Sequence, residues 1–138
     1  VATPRSREAR RFFRCALQRR EEADVLFESG YNTGAIYLAG YCVECILKAL
    51  ILANTPHAQQ AKVLDLFRGA KAHDYNQLKA WNRERGGPPP PSSVNPSFTL
   101  VESWSTALRY STESLKEEDA QEFLDAVDAI MEWASGRF

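Results

Sequence analysis

Apolar residues recur along this chain at steps of three and four, and nowhere alternate at period two for long enough to make a strand. A first helix is predicted from about Ser6 to Ser29: Ala9, Phe13, Ala16, Ala23 and Phe27 share one face, Phe12 and Leu26 widen it, and Gly30 supplies a stop. The next stretch, Tyr31 to Ala53, is apolar on nearly every side and broken only by Glu44 and Lys48, the pattern of a helix covered by neighbours all round. Asn32 or Thr33 is placed to cap it. Tyr37, Tyr41, Glu44 and Lys48 fall at steps of four, three and four and therefore share its one polar line. Gly34 and Gly40 lower helix propensity, which predicts a neighbour in close approach at each.

Asn54-Thr55-Pro56 ends the central helix, because a residue before proline avoids the helical region. A short helix is predicted over Ala58 to Arg68, with Ala61, Leu64 and Phe67 on one side and Gly69 closing it. Asp74 is placed to cap a fourth helix whose apolar side is Tyr75, Leu78 and Trp81. Asn82 to Ser97 carries four consecutive prolines after two glycines and reads as a loop. Ser97 is placed to cap a fifth helix bearing Leu100, Val101, Trp104 and Leu108. The last helix opens on a Ser114/Glu117 capping box, keeps Phe123, Leu124, Val127 and Ile130 in register, and stops at Gly136. The prediction is an all-α fold, an up-and-down bundle of four long helices plus a short additional helix. One domain over residues 1–138 is expected, with a Gly/Pro-rich loop at about 85–97.

Composition changes this picture little: 44% hydrophobic and 25% charged residues are ordinary globular values and exclude wholesale disorder. Charge distribution changes it more. The net charge is -1, yet residues 1–20 hold seven arginines against Glu8, and residues 113–132 hold eight carboxylates against Lys116. Two readings follow: end helices side by side with complementary faces, or an arginine patch that meets phosphate. Cys15, Cys42 and Cys45 are an odd count at apolar helical positions, as expected of reduced core thiols in a cytoplasmic protein. No signal-peptide pattern opens the chain, and the Glu44-Lys48 pair argues against membrane insertion of the central helix.

Candidate chemistry is sparse. Cys42-x-x-Cys45 lies inside an apolar helix, without the second cysteine pair or nearby histidine that zinc needs, so no metal is expected. There is no Gly-rich phosphate loop, nucleophile elbow or HExxH, and no cofactor is implied. Arg68 and His73 form the one arginine-histidine constellation: in a ribonuclease a histidine can move the proton of a ribose hydroxyl while an arginine stabilises phosphate charge.

The run Gly30-Tyr31-Asn32, then Ala35-x-Tyr37-Leu38-Ala39-Gly40-Tyr41-x-Val43-Glu44-x-x-Leu47-Lys48-Ala49-Leu50, resembles the central helix of the HEPN (higher eukaryotes and prokaryotes nucleotide-binding) domain. Ala72-His73-Asp74-Tyr75-x-x-Leu78 and Arg109-Tyr110 resemble that family's later elements, so the resemblance spans about Arg7 to Trp133 and leaves out the proline loop. It implies a helical bundle that pairs as a homodimer. It also implies either a metal-independent endoribonuclease or a non-catalytic module that binds a nucleotide or RNA, or partners a nucleotidyltransferase in a toxin-antitoxin or stress system. Arg68 and His73 have the catalytic spacing, but Gly69 follows Arg68 where a polar residue is usual, the pair lies early in the chain, and no histidine lies near Arg109. The expectation is therefore a non-catalytic domain. Tyr37, Tyr41, Glu44, Lys48, Arg109 and Tyr110 are its candidate ligand-binding residues, the tyrosines for a base and Lys48 and Arg109 for phosphate. The alternatives are an endoribonuclease using Arg68 and His73, and a purely structural interaction module.

Overall fold

Ser6 opens the first helix as its sequence predicts: its Oγ accepts from the Ala9 amide at 3.3 Å, satisfying one of the donors that a helix start leaves without a partner. Gly30, at φ 84°, ends that helix in a conformation that a side chain would resist. The computed structural model describes residues 3–138. It contains α1 (Arg7–Glu28), α2 (Asn32–Ala53), α3 (Gln60–Leu66), α4 (Tyr75–Glu84), α5 (Asn95–Val101) and α6 (Glu117–Ser135), with 3₁₀ turns at His57–Gln59, Ala70–His73 and Thr106–Tyr110. No strand occurs among the described residues. The bundle is all-α as expected, with three long helices (α1, α2, α6), one of ten residues (α4) and two of seven (α3, α5), rather than four long and one short.

Helix α2 is the axis. Fourteen of its 22 residues are buried, from Ala35 to Leu52, which is why its apolar residues surround it instead of forming a stripe. α1 lies along it through Ala9, Phe13, Ala16 and Ala23, and α6 and α4 cover other sides. By length and a mean hydropathy of 1.8, α2 could cross a membrane, yet 78% of that apolar window is buried inside the fold.

Several local expectations are corrected. Asn32 and Thr33 do not cap α2, and Ser114 does not cap α6. Instead Asn32 Nδ2 donates to the Leu115 carbonyl at 2.9 Å and Thr33 Oγ1 donates to the Glu113 carbonyl at 2.7 Å. These two bonds hold the segment before α6 in place against the start of α2, so the helix begins at Glu117 and three acids in its first turn face the helix dipole. The third helix turns Val63, not Ala61, into the core; Leu64 and Phe67 are half-buried. The proline loop is shorter than expected, because Pro96, with no amide hydrogen to lose, is accommodated in the first turn of α5, ahead of Ser97.

The expected fifth helix is also cut in two. It ends at Val101, and Trp104 leaves it to fill the notch over Gly40, where its Nε1 donates to the Tyr37 carbonyl at 3.0 Å and its ring stacks on Tyr75 (centroids 5.4 Å, planes 13° apart). Burial of a whole indole outweighs the few helical hydrogen bonds forgone. Ser105 then caps the Thr106–Tyr110 turn, its Oγ accepting from the Ala107 amide at 3.2 Å. Asp74 does cap α4, accepting from the Asn76 amide at 2.8 Å.

The opposed charges of the two ends meet at a single residue. Arg20 of α1 donates through Nε and Nη2 to the two carboxylate oxygens of Asp128 on α6, at 2.6 and 3.0 Å. Among the described residues no other α1 arginine has an ion pair or hydrogen bond to α6.

A Cβ on residue 40 would lie 2.0–2.2 Å from three atoms of the Trp104 indole. Gly40→Ala is therefore expected to lower stability by about 3 kcal/mol through overpacking. The urea midpoint, read by tryptophan fluorescence, checks this; an unchanged midpoint would remove Trp104 from that notch.

Candidate functional site

The polar line of α2 changes character along its length. At its start Tyr37 and Tyr41 are half-buried, their rings edge to face at 5.1 Å and the Tyr37 hydroxyl donating to that of Tyr41 at 3.2 Å. One and two turns on, Glu44 and Lys48 are buried, with 5% and 6% of their side chains exposed, and Lys48 Nζ donates to Glu44 Oε2 at 2.8 Å. Lys48 Nζ also lies 5.4 Å from the ring centre of Phe67 and 5.9 Å from that of Phe12, positions where aromatic faces attract a cation.

The second oxygen of Glu44 is occupied too. His73, at the end of the Ala70–His73 turn, approaches Oε1 with Nδ1 at 2.7 Å. An ionised carboxylate can only accept, so Nδ1 carries the hydrogen and Nε2 is the ring nitrogen left for another partner. With 44% of the His73 side chain exposed, it is the outward end of an otherwise buried chain Lys48-Glu44-His73. His73 also meets the edge of Tyr41 at 6.5 Å between ring centres.

Around Tyr41 the structure collects Trp104, at 5.0 Å between ring centres, and the turn that carries Arg109 and Tyr110. Arg109 and Tyr110 are both exposed, and the guanidinium lies 4.9 Å from the Tyr110 ring centre. Tyr110 first, and then Tyr37, push the Arg109 pKa further up. Burial first, then the hydrogen bond shared with Tyr37, pushes Tyr41 up to about 12, with Arg109 pulling the other way. Tyr37, Tyr41, Arg109 and Tyr110 thus form one surface, with Glu44 a turn further along α2, whereas Lys48 faces Phe12 and Phe67 on the α1 and α3 side. Trp104 lies buried under this surface, although its sequence spacing placed it on the apolar face of the fifth helix. The glycine at 40 was the signal, since a close neighbour had to be large enough to need the notch. A cleft of about 460 Å³ opens on the far side of Trp104, walled by Tyr75 and His73 and edged by Asp74 and Glu102.

Arg68 is not part of this assembly. Its side chain is 84% exposed, its ion-pair neighbour is Asp65 at 3.7 Å, and it edges a different cleft from His73, one shared with Lys48, Arg11 and Phe12. No hydrogen bond joins the two residues of the Arg68/His73 pair within the chain.

All three cysteines are free. Burial pushes the Cys42 thiol up strongly and that of Cys45 to about 12, and Cys42 Sγ rests 3.2 Å from the Met131 sulfur. Both are protonated core groups at neutral pH. Among the described residues no three potential metal-ligating side chains come together.

A helical bundle built on this central helix, with a histidine held by its buried glutamate, now has a family. The HEPN domain profile matches residues 9–137, nearly the whole chain, and the chain belongs to the HEPN domain family. Comparison with curated proteins and with solved structures finds no significant match.

Two outcomes follow from the site's construction. Lys48→Met leaves a buried carboxylate without its cation and is expected to cost about 3–5 kcal/mol, while adding Glu44→Gln restores much of that loss; chemical unfolding of the two variants measures it. The raised Tyr41 pKa gives a sign as well. Between pH 10, where an unfolded tyrosine ionises, and about 12, the folded chain holds the proton that the unfolded chain releases, so stability falls as pH rises through that window and levels beyond it. Ultraviolet titration of Tyr41→Phe should lack one late-ionising tyrosine; Tyr75, whose burial pushes its pKa well above the usual value, remains.

Proposed function

We propose that this HEPN domain binds a nucleotide or RNA without cleaving it, at the surface made by Tyr37, Tyr41, Arg109 and Tyr110. The observation that carries this reading is the exposed Arg109-Tyr110 pair set over half-buried aromatic rings. Such a surface offers π faces to a base and a guanidinium to its phosphate. Glu44 lies one turn along α2 from Tyr41, and Lys48 neutralises the carboxylate that orients His73. The non-catalytic reading draws its support from Arg68, which sits apart from His73 and leaves that histidine without an arginine beside it. We place the protein in the cytoplasm as a homodimer, with a nucleotidyltransferase of a toxin-antitoxin or stress system as the partner class that the family implies.

The purified protein and His73→Ala are incubated with a labelled RNA pool in EDTA, and the same samples are run on a native gel. Intact RNA that is shifted by the wild type, and shifted at least about tenfold more weakly by Tyr37→Ala and Arg109→Ala, is the expected result. Cleavage that vanishes in His73→Ala would make the protein a metal-independent ribonuclease, and no shift at all would leave a structural interaction module. A monomer by light scattering at tens of micromolar would remove the homodimer.

A further inference from the structure

The arginines of α1 are the strongest feature that the aromatic surface does not use. Arg7, Arg10, Arg11 and Arg14, with Arg7/Arg11 and Arg10/Arg14 four apart and Arg7/Arg10 and Arg11/Arg14 three apart, edge a single open cleft of about 490 Å³ with Cys15. Their opposite charges are few. Arg11 has Glu8 at 3.2 Å, and Arg10 donates to the backbone carbonyls of Pro4 and Arg5. Exposed Arg7 and Arg14 have no hydrogen bond or ion pair with another described residue. By contrast Arg19 and Arg20, further along α1, are tied to Glu22, Asp24 and Asp128. Within its own length the helix thus changes from four guanidinium groups of which one meets a carboxylate to two that are both paired.

This stripe leads toward the aromatic surface. Cys15, at its edge, also lines a second and mostly apolar groove of about 450 Å³ between α1 and α2, whose other wall is Leu38, Tyr41 and Cys45. Tyr41 is in turn the ring that meets Tyr37, Trp104 and His73. Two shared residues, Cys15 and Tyr41, therefore join three surfaces in order: guanidinium groups, an apolar groove, then edge-to-face rings with Arg109.

We infer that the α1 arginine stripe and the groove beside it form a backbone-contacting extension of the aromatic surface, so that the whole is a track for a single RNA strand rather than a pocket for one nucleotide. The inference rests on bases stacking at Tyr37 and Tyr41. A single strand fits because its phosphates can follow the arginines while its bases turn onto apolar and aromatic side chains; a duplex hides those faces. An acidic protein would match the arginines but has no use for the rings that continue them.

The test compares a labelled single-stranded oligoadenylate of about a dozen nucleotides with the dinucleotide and with a duplex of the same length. Arg7→Gln/Arg14→Gln changes only exposed side chains, and circular dichroism confirms its fold. Four phosphate contacts predict a log K against log salt slope of about -3 for the long strand, and the double variant is expected to reduce its magnitude by about 1.4. Affinity for the long strand should fall at least tenfold, with dinucleotide binding unchanged. An unaltered slope and affinity for the long strand, with the dinucleotide still bound by the wild type, would overturn the track alone. Failure of the wild type to bind the dinucleotide in NMR titration would instead overturn the aromatic reading. Equal affinity for duplex and single strand, or a smaller mass for the double variant by light scattering, would also overturn the track. The first would mark a general polyanion surface and the second a contact between α1 and the acidic helix of another copy.

Discussion

A carboxylate with 5% of its side chain exposed sets the terms for this fold. Glu44 lies in the middle of the least polar helix in the chain, and an unpaired charge there would cost several kcal/mol. Both of its oxygens are occupied, one by Lys48 from the next turn and one by His73 from a separate segment. The first partner comes with the helix, at the i,i+4 spacing. The second does not, and its arrival fixes where the Ala70–His73 turn and the start of α4 sit against α2. Phe12 and Phe67 then close over the ammonium group, which ties α1 and the end of α3 to the same point. One buried charge thereby constrains the placement of four segments.

The second constraint is steric. Gly40 lets an indole lie directly on the backbone of α2, and the Trp104 ring is held there by the Tyr37 carbonyl and by the Tyr75 ring, whose hydroxyl donates to the Gly40 carbonyl at 2.7 Å. The turn bearing Arg109 and Tyr110 follows at once. The exposed residues of the candidate site therefore owe their position to a tryptophan that is itself almost hidden.

Local pattern was legible where one element decides its own fate. The all-round apolarity of α2, the Asp74 cap, the Gly30 stop and the polar line from Tyr37 to Lys48 could all be read along the chain, because each depends on neighbours within a few residues. The readings that failed depended on distant partners. Asn32, Thr33 and Ser114 have capping chemistry, but backbone carbonyls 83 and 80 residues away claimed the first two. Trp104 has helical spacing, but the notch at Gly40 lies on another helix. The site was half legible for the same reason: Tyr37, Tyr41, Glu44 and Lys48 share one helix, whereas bringing His73 and Trp104 to them took tertiary packing that spacing does not encode.

Helix α2 also carries a hazard that the finished fold conceals. Emerging from the ribosome, it is a segment of membrane-spanning length and hydropathy, preceded by α1 but not yet met by α4 or α6. The hairpin with α1 covers only one side, so the remaining apolar surface stays open to chaperones and to the membrane-insertion machinery until the last helix has been made. Glu44 and Lys48 are then two charges in the middle of a would-be span, and they penalise its entry into lipid throughout that interval. The buried pair that orders the folded protein is thus also, during synthesis, a charge penalty on inserting α2 into lipid.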